Sequence, residues 1–310
     1  MSSYKISLTG DGVKGKRVKA SVLSAVIDTL IDGAKGSVRL RIDGRSSAPG
    51  ASPSWLDAVC DFDITGIVEG STEIQIDCQP LHVLDPGKFA QLKAFCGIGP
   101  GASALSLFAD GLRDAAAGKK DSDYFDDALL STYERLNCLY GYGIDKLRFE
   151  DSTDKGNDIT LTPDVSLTIR TLKQETPTPQ AVRLSGQVDS IRASDKMFEL
   201  VLLTGDKLKV VAPPSTDTEH MKDIFGQFAL VSGRAVFRPN GSVLRIECTN
   251  VEKDVLKKER RWSKMPTPRQ NKIFAPSLRK QQTETSGLNR IWGLWPGDES
   301  DSEVQQAFCK

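Results

Sequence analysis

The stretch ALVSGRAVFRPNGSVLRIEC, residues 229–248, decides the fold of the second half of the chain. Two runs rich in aliphatic and β-branched residues, Ala229 to Phe237 and Val243 to Cys248, flank Pro239-Asn240-Gly241. Proline presets a turn angle, and the Asn-Gly pair tolerates the left-handed backbone that tight hairpins require. The stretch therefore predicts a β-hairpin.

Three segments upstream of the hairpin alternate apolar and polar residues at the period of a strand, around Leu184, Phe198 and Leu208. A helical segment, Thr218 to Gly226, separates them from the hairpin. Three strands, a helix and two more strands are the element order of an OB-type barrel. We therefore expect a small five-stranded OB-like β-barrel over residues 181–252.

Alternating prolines at Thr176-Pro177-Thr178-Pro179 mark a boundary, because such a segment is extended and cannot join a β-ladder. We assign residues 176–180 to a proline linker and residues 1–175 to a mixed α/β domain. Its pattern predicts helices in several places and short strands that include Val38 to Ile42 and Val165 to Ile169. The overall prediction is an α+β protein.

The composition changes again after the predicted barrel. Residues 253–290 combine many cations with Pro266, Pro268 and Pro276 and little apolar periodicity, which predicts a basic flexible tether, mostly disordered. Residues 291–310 carry two tryptophans, an acidic run and a capping box at Ser300 to Glu303, which predict a short tail helix.

Charge and hydropathy exclude several classes of protein. The chain has 41 Lys plus Arg and 41 Asp plus Glu, so its net charge is zero and favours no partner by itself. We find no apolar run of membrane-spanning length and no signal-like start, and therefore expect a cytoplasmic protein. The six cysteines form no C-x-x-C pair, a pattern that favours reduced thiols over a zinc cage or disulfide framework.

The N-terminal glycines Gly10, Gly12 and Gly15 have the spacing of a dinucleotide-binding turn. That reading needs the third glycine to open a helix directly, whereas the pattern places the helix start near Ser21. A P-loop also fails, because Arg17 occupies the position of the magnesium-binding serine or threonine. We expect a turn between two strands and no nucleotide cofactor.

Catalytic residues are scarce, since the chain has only two histidines. Asp61 and Asp63 lie on one side of a predicted strand and could hold a divalent cation. We keep a metal-dependent enzyme as the lesser alternative, and the sequence favours a non-catalytic protein with no cofactor and no metal.

Two groups of residues are candidates for binding. An OB-type barrel commonly binds single-stranded DNA or RNA, and a basic stretch can contact the phosphate backbone. The candidate nucleic-acid-binding residues are Lys207, Lys209, Lys257, Lys258, Arg260, Arg261 and Trp262. A short amphipathic helix is marginal in water unless it docks, on this protein itself or on a protein partner. The candidate partner-binding residues are Trp292, Leu294, Trp295, Asp298, Glu299, Val304 and Phe308.

The W295-P-G-D-E-S tail, the module V-S-G-R-A-V-F-R-P-N-G and the N-terminal L-T-G-D-G-V resemble segments of bacterial antitoxin-like proteins from toxin–antitoxin or defence loci. The resemblance implies a binding protein whose tail engages or neutralises a protein partner, such as a toxin or effector. Our leading hypothesis is thus an antitoxin-like protein or adaptor that binds a partner through its tail. The alternative is a single-stranded nucleic-acid-binding protein.

Overall fold

The computed structural model describes residues 2–13, 18–68, 72–89, 98–152, 158–192, 196–213, 215–254 and 262–268. They all belong to one compact unit, Met1–Arg269. Of the predicted tether, only residues 253–254 and 262–268 are described, and the predicted tail helix lies outside the described residues.

The N-terminal part is built on a five-stranded sheet in the order β2-β3-β1-β4-β5. Every neighbouring pair of strands is antiparallel. Tyr4, Ile6 and Leu8 of the central strand are buried at alternate positions. The strands are β1 (Ser2–Thr9), β2 (Asp63–Val68), β3 (Thr72–Cys78), β4 (Lys146–Asp151) and β5 (Ile159–Leu161).

Helices cover the buried face of this sheet, and side-chain caps start three of them. Ser103 accepts a hydrogen bond from the Ser106 amide, and Asp126 accepts one from the Leu129 amide. No helix within the described ranges is long and apolar enough to cross a membrane. The helices are α1 (Ala20–Ile42), α2 (Ser54–Val59), α3 (Leu81–Leu84), α4 (Pro86–Phe89), α5 (Ala104–Ala116), α6 (Asp127–Glu134) and α7 (Pro163–Glu175), with a 3-10 helix at Arg135–Tyr142.

Two predicted strands are helical, and their prediction was wrong. Val38 to Ile42 form the last turns of α1. Leu30, Ala34, Val38 and Ile42 follow one another at intervals of four residues, so they lie on one face of the helix, and all four are buried. Val165 to Ile169 lie in α7, where Thr162 accepts a hydrogen bond from the Val165 amide and a proline occupies the first turn. In both segments, apolar residues at every second position suggested a strand although the segment is part of a helix.

The glycine turn after β1 joins a strand to a helix, and the expected strand-to-strand turn was wrong. Gly10 has φ +146°, and a Cβ there would lie 2.3 Å from the carbonyl oxygen of Gly143. The Gly12 amide donates a hydrogen bond of 2.8 Å to the same oxygen. These two glycines therefore allow backbone to pack on backbone, while Gly15 to Arg17 lie outside the described residues.

The second part is a closed five-stranded barrel, in which strands follow the order β10-β8-β7-β6-β9 and β9 pairs with β10. The pair β8 and β10 is parallel and the other pairs are antiparallel. A helix lies between the third and fourth strands. The elements are β6 (Gln180–Arg192), β7 (Met197–Leu202), β8 (Lys207–Val211), α8 (Thr218–Ile224), β9 (Phe228–Phe237) and β10 (Val243–Lys253).

The barrel interior is filled by the apolar residues that the strand alternation predicted, among them Leu184, Phe198, Leu200 and Val210. Met221 and Ile224 of α8 pack into the same core. The predicted combination of an α+β fold with a small five-stranded barrel is confirmed. A short segment beyond the barrel lies against it, since buried Ser263 donates a hydrogen bond of 3.0 Å to the carbonyl oxygen of Ser185.

Candidate functional site

A loop between α5 and α6, residues 117–126, connects the N-terminal part to the barrel. Its backbone accepts a hydrogen bond of 3.2 Å from the Asn240 amide, at Lys120. Asp123 accepts a hydrogen bond of 2.9 Å from Nε of Arg238 and lies 3.3 Å from Nζ of Lys209. The loop therefore holds the β9–β10 hairpin and the third barrel strand with one carboxylate.

Asp126, three residues further on, makes a second and more deeply buried connection. Its carboxylate accepts a hydrogen bond of 2.5 Å from the Ser46 hydroxyl and lies 3.0 Å from Nη1 of Arg245. The side chains of Asp126 and Arg245 are only 3% and 7% exposed. Arg245 also donates a hydrogen bond of 2.9 Å to Glu247. Two carboxylates thus balance this buried guanidinium.

The end of α1 reaches the barrel at Gly44, where no larger residue fits without rearrangement. A Cβ at this position would lie 2.7 Å from Cε of Met197 and 2.8 Å from Cγ2 of Val211. The backbone at Gly44 has φ +70°, which favours glycine. This contact brings the neighbouring Arg41 next to the barrel surface.

These contacts border a cleft of about 280 Å³ between the N-terminal part and the barrel. Among the described residues, four cationic side chains and the carboxylate of Asp123 line it. The guanidinium carbon of Arg41 lies 3.7 Å from the ring centroid of Tyr124, so the two groups stack. The cations of the cleft are Arg41, Arg192, Lys209 and Arg245.

A second depression of about 260 Å³ continues the cleft along the barrel, over the facing ends of β6, β7 and β8. Arg192, Met197 and Lys209 line both depressions. The two together form one groove, which we call the cationic groove. Ser190 and Glu199 lie at its far end.

The charge state of Asp123 follows from its cationic neighbours. Burial alone would raise the pKa of this carboxyl. The hydrogen bond from Arg238 and the positive charges of Lys209 and Arg238 outweigh burial, and hold the pKa of Asp123 below its usual value. Asp123 is therefore ionised at neutral pH, and its negative charge neutralises part of the positive charge in the groove.

The structure places the sequence-predicted barrel residues at different points. Lys209 lines the cationic groove, whereas Lys207 is exposed and paired with Glu199 at 2.7 Å and Asp189 at 3.1 Å. Those carboxylates raise the pKa of Lys207. Trp262 is 40% exposed, and Arg183 lies 5.9 Å from its ring centroid. Lys257, Lys258, Arg260, Arg261 and all the candidate partner-binding residues lie outside the described residues.

Sequence reasoning missed Arg41, Tyr124 and Arg192 as site residues. Arg41 was assigned to a strand, and Tyr124 was passed over within an acidic run. The barrel segment itself has no tyrosine or tryptophan, which argued against stacking by the barrel alone. The structure supplies the missing aromatic ring from the N-terminal part, more than fifty residues before the barrel begins.

The residues proposed for a metal site are both exposed at the start of β2, Asp61 just before the strand and Asp63 at its first residue. Within the described ranges, no group of three or more His, Cys, Asp or Glu residues is placed to hold a metal ion. The metal-dependent alternative thus gains no ligand set from the described part of the chain.

No protein-family model, curated protein sequence or solved structure matches the chain.

Proposed function

We propose that this chain is a non-catalytic protein that binds single-stranded nucleic acid in the cationic groove of an OB-type barrel. The observation that carries the proposal is the convergence of Arg41, Arg192 and Lys209, besides the buried and ion-paired Arg245, on one cleft beside the second and third barrel strands. OB barrels bind oligonucleotides over these two strands and the loops next to them. The parallel β8–β10 pair and the helix between the third and fourth strands support the OB assignment.

The ion pair between Lys209 and Asp123 can be replaced by one between Lys209 and a phosphate at a small cost in free energy. The Lys209 side chain is 58% exposed and that of Asp123 is 42% exposed. Ion pairs exposed to this degree contribute only about 0–1 kcal/mol to stability. A nucleic-acid phosphate can therefore replace Asp123 as the partner of Lys209 while Arg238 continues to hold Asp123.

The stacked pair of Arg41 and Tyr124 supports a nucleic-acid ligand over a bare anion. Single-stranded binding proteins combine a positive groove with aromatic rings or guanidinium planes that stack on the bases. Both groups line the cleft beside Lys209. A strand in the groove would thus have its phosphates at Arg192 and Lys209 and a base at the Arg41–Tyr124 pair.

The test is fluorescence anisotropy with a labelled single-stranded DNA and a single-stranded RNA of the same sequence, each at low and at physiological salt. We expect affinity to fall with salt, and Lys209→Ala to weaken binding several-fold. That variant should also reduce the slope of log affinity against log salt by about 0.7, the value for one phosphate contact of a single strand.

Lys222→Ala is the matched control, because Lys222 is similarly exposed, pairs with one carboxylate and lies on α8 outside the groove. It should leave both affinity and slope unchanged. Equal losses in the two lysine variants, or binding that does not respond to salt, would contradict the proposal.

A second proposal follows from the sequence of residues 291–308, where two tryptophans precede a capping box and a short apolar stripe. A helix this short is marginal alone, so docking on a protein partner in the antitoxin-like manner would stabilise it. Removal of residues 288–310 should abolish recovery of that partner in a pull-down. Undiminished recovery by the shortened chain would count against it.

A further inference from the structure

The N-terminal part carries its own cavity of about 300 Å³, separate from the cationic groove. One face of α1, the loop at residues 46–52 and the α6 region enclose it. Three cations and one carboxylate line it, namely Lys35, Arg39, Arg135 and Asp32. None of these residues lines the groove.

Each of these cations has one carboxylate within ion-pair distance among the described residues. Nζ of Lys35 lies 2.6 Å from Asp57, and Nη1 of Arg135 lies 2.7 Å from Asp32. Because arginine has five N–H donors and lysine three, a single carboxylate leaves donor capacity on each cation. Each of the three cations therefore keeps N–H donors that an anion in the cavity can use.

Arg39 is the least satisfied of the three. Its Nε is buried and makes no hydrogen bond within the described residues, and the nearest carboxylate oxygen, on Asp43, is 3.6 Å away. The side chain is 14% exposed. A buried donor without an acceptor is costly, since the donor has lost its water and gained no partner. The guanidinium that carries this donor lines the cavity, so an anion bound there would lie against an incompletely paired cation.

The rest of the lining suits an organic body attached to that anion. Leu56 and Leu129 are buried and form an apolar floor beside Ala48 and Ala128. Small-molecule sites typically combine such a floor with a few convergent polar groups in a volume of several hundred Å³. Ser47 is a further polar residue of the lining.

We infer that this cavity binds a small phosphomonoester, with its phosphate at Lys35, Arg39 and Arg135 and its uncharged body over Leu56 and Leu129. A phosphate presents three strong acceptor oxygens, one for each of the three cations. The residues that line this cavity are different from those that line the groove, so we assign it a separate ligand.

Isothermal titration calorimetry on the full chain tests the inference, with adenosine 5′-monophosphate, adenosine and inorganic phosphate as probes. We expect the monophosphate to bind, phosphate to bind more weakly and adenosine to give no heat. Arg135→Gln and Arg39→Gln should each reduce monophosphate affinity roughly ten- to a hundredfold, the loss of one hydrogen bond between charged groups.

Arg170→Gln is the matched control, since Arg170 is also exposed and paired with one carboxylate but lies on α7 away from the cavity. It should bind the probe normally, as should Lys209→Ala. Arg135 lies at the surface with a side chain 45% exposed, so its variant retains the fold even if the Arg39 variant does not. No heat with the monophosphate at millimolar concentration would overturn the inference. So would binding that survives Arg135→Gln and is lost in Lys209→Ala.

Discussion

Asp126→Asn is the substitution that most directly probes how the N-terminal part is joined to the barrel. The change keeps the size of the side chain and leaves an oxygen that can cap α6 and accept from Ser46. It removes the charge opposite Arg245, which is 7% exposed. The variant therefore isolates the buried ion pair from the cap.

The magnitude follows from what remains around Arg245. Removing one partner of a buried pair typically costs about 3–5 kcal/mol, because the other charge is left without compensation. Here Glu247 still accepts from Arg245 at 2.9 Å, so we expect a smaller loss, about 2–3 kcal/mol. Asp126→Ala should cost about 2 kcal/mol more, since it also removes the cap and the acceptor of the Ser46 hydroxyl.

Urea unfolding of Asp126→Asn, Arg245→Met and the double variant gives the coupling between the two side chains. We expect a coupling of about 2 kcal/mol, because the Asp126→Asn change costs little once the guanidinium is absent. Asp110→Asn is the control, since Asp110 makes an ion pair with Arg113 at a partly exposed position. It should change stability by less than about 0.5 kcal/mol. Additive losses, or an Asp126→Asn effect as small as the control, would refute the reasoning.

Three further predictions concern packing, pH and thiol reactivity. Gly44→Ala should destabilise the chain by about 1–3 kcal/mol in urea unfolding, because it adds a clash with Met197 to a positive φ. Gly205→Ala is the control and should cost less, since Gly205 has a similar φ and nothing within 4 Å of an added Cβ. Equal losses in the two variants would contradict the packing argument. The depressed pKa of Asp123 contributes stability that is present above its unfolded value of 3.8 and lost as the pH falls through its lower folded value. Unfolding of Asp123→Asn measured from neutral to acid pH should therefore show a smaller loss than the parent chain, and parallel curves would argue against it. Burial raises the pKa of Cys60 to about 12, so iodoacetamide should modify exposed Cys138 well before Cys60. Peptide mass spectrometry measures the two rates. Equal rates in the native protein would contradict the buried position of Cys60.

The barrel could be predicted from the sequence because its signals are local. The Asn240-Gly241 turn and the alternation around Leu184, Phe198 and Leu208 each act within a few residues. The long-range pairings of β6 with β9 and of β8 with β10 are what the structure adds. Local pattern and tertiary structure agree in this part of the chain.

Prediction failed where a short pattern was compatible with two structures. The alternation at Val38 to Ile42 also satisfies the four-residue spacing of a long helix, and tertiary packing against α5 and α6 decides between a strand and a helix. The turn at Gly10 follows from contact with Gly143, a residue far along the chain. In both cases the residues that determine the local structure lie far along the chain, outside the short stretch of sequence from which the prediction was made.

The candidate site was predictable only in part for the same reason. Lys209 was identified because it lies on a recognisable barrel strand. Arg41, Tyr124 and Arg192 join it from three separate segments, and their approach depends on Gly44 and on the loop carrying Asp123 and Asp126. Residues that come together only when two parts of the fold dock have no characteristic spacing in the sequence.

The central claim is that the cationic groove contacts single-stranded nucleic acid, and NMR of the arginine side-chain Nε–H groups tests it most directly. Addition of a single-stranded oligonucleotide should shift the signals of Arg41 and Arg192, while that of Arg170 on α7 stays in place. Unchanged Arg41 and Arg192 signals at a concentration that saturates binding would contradict the account.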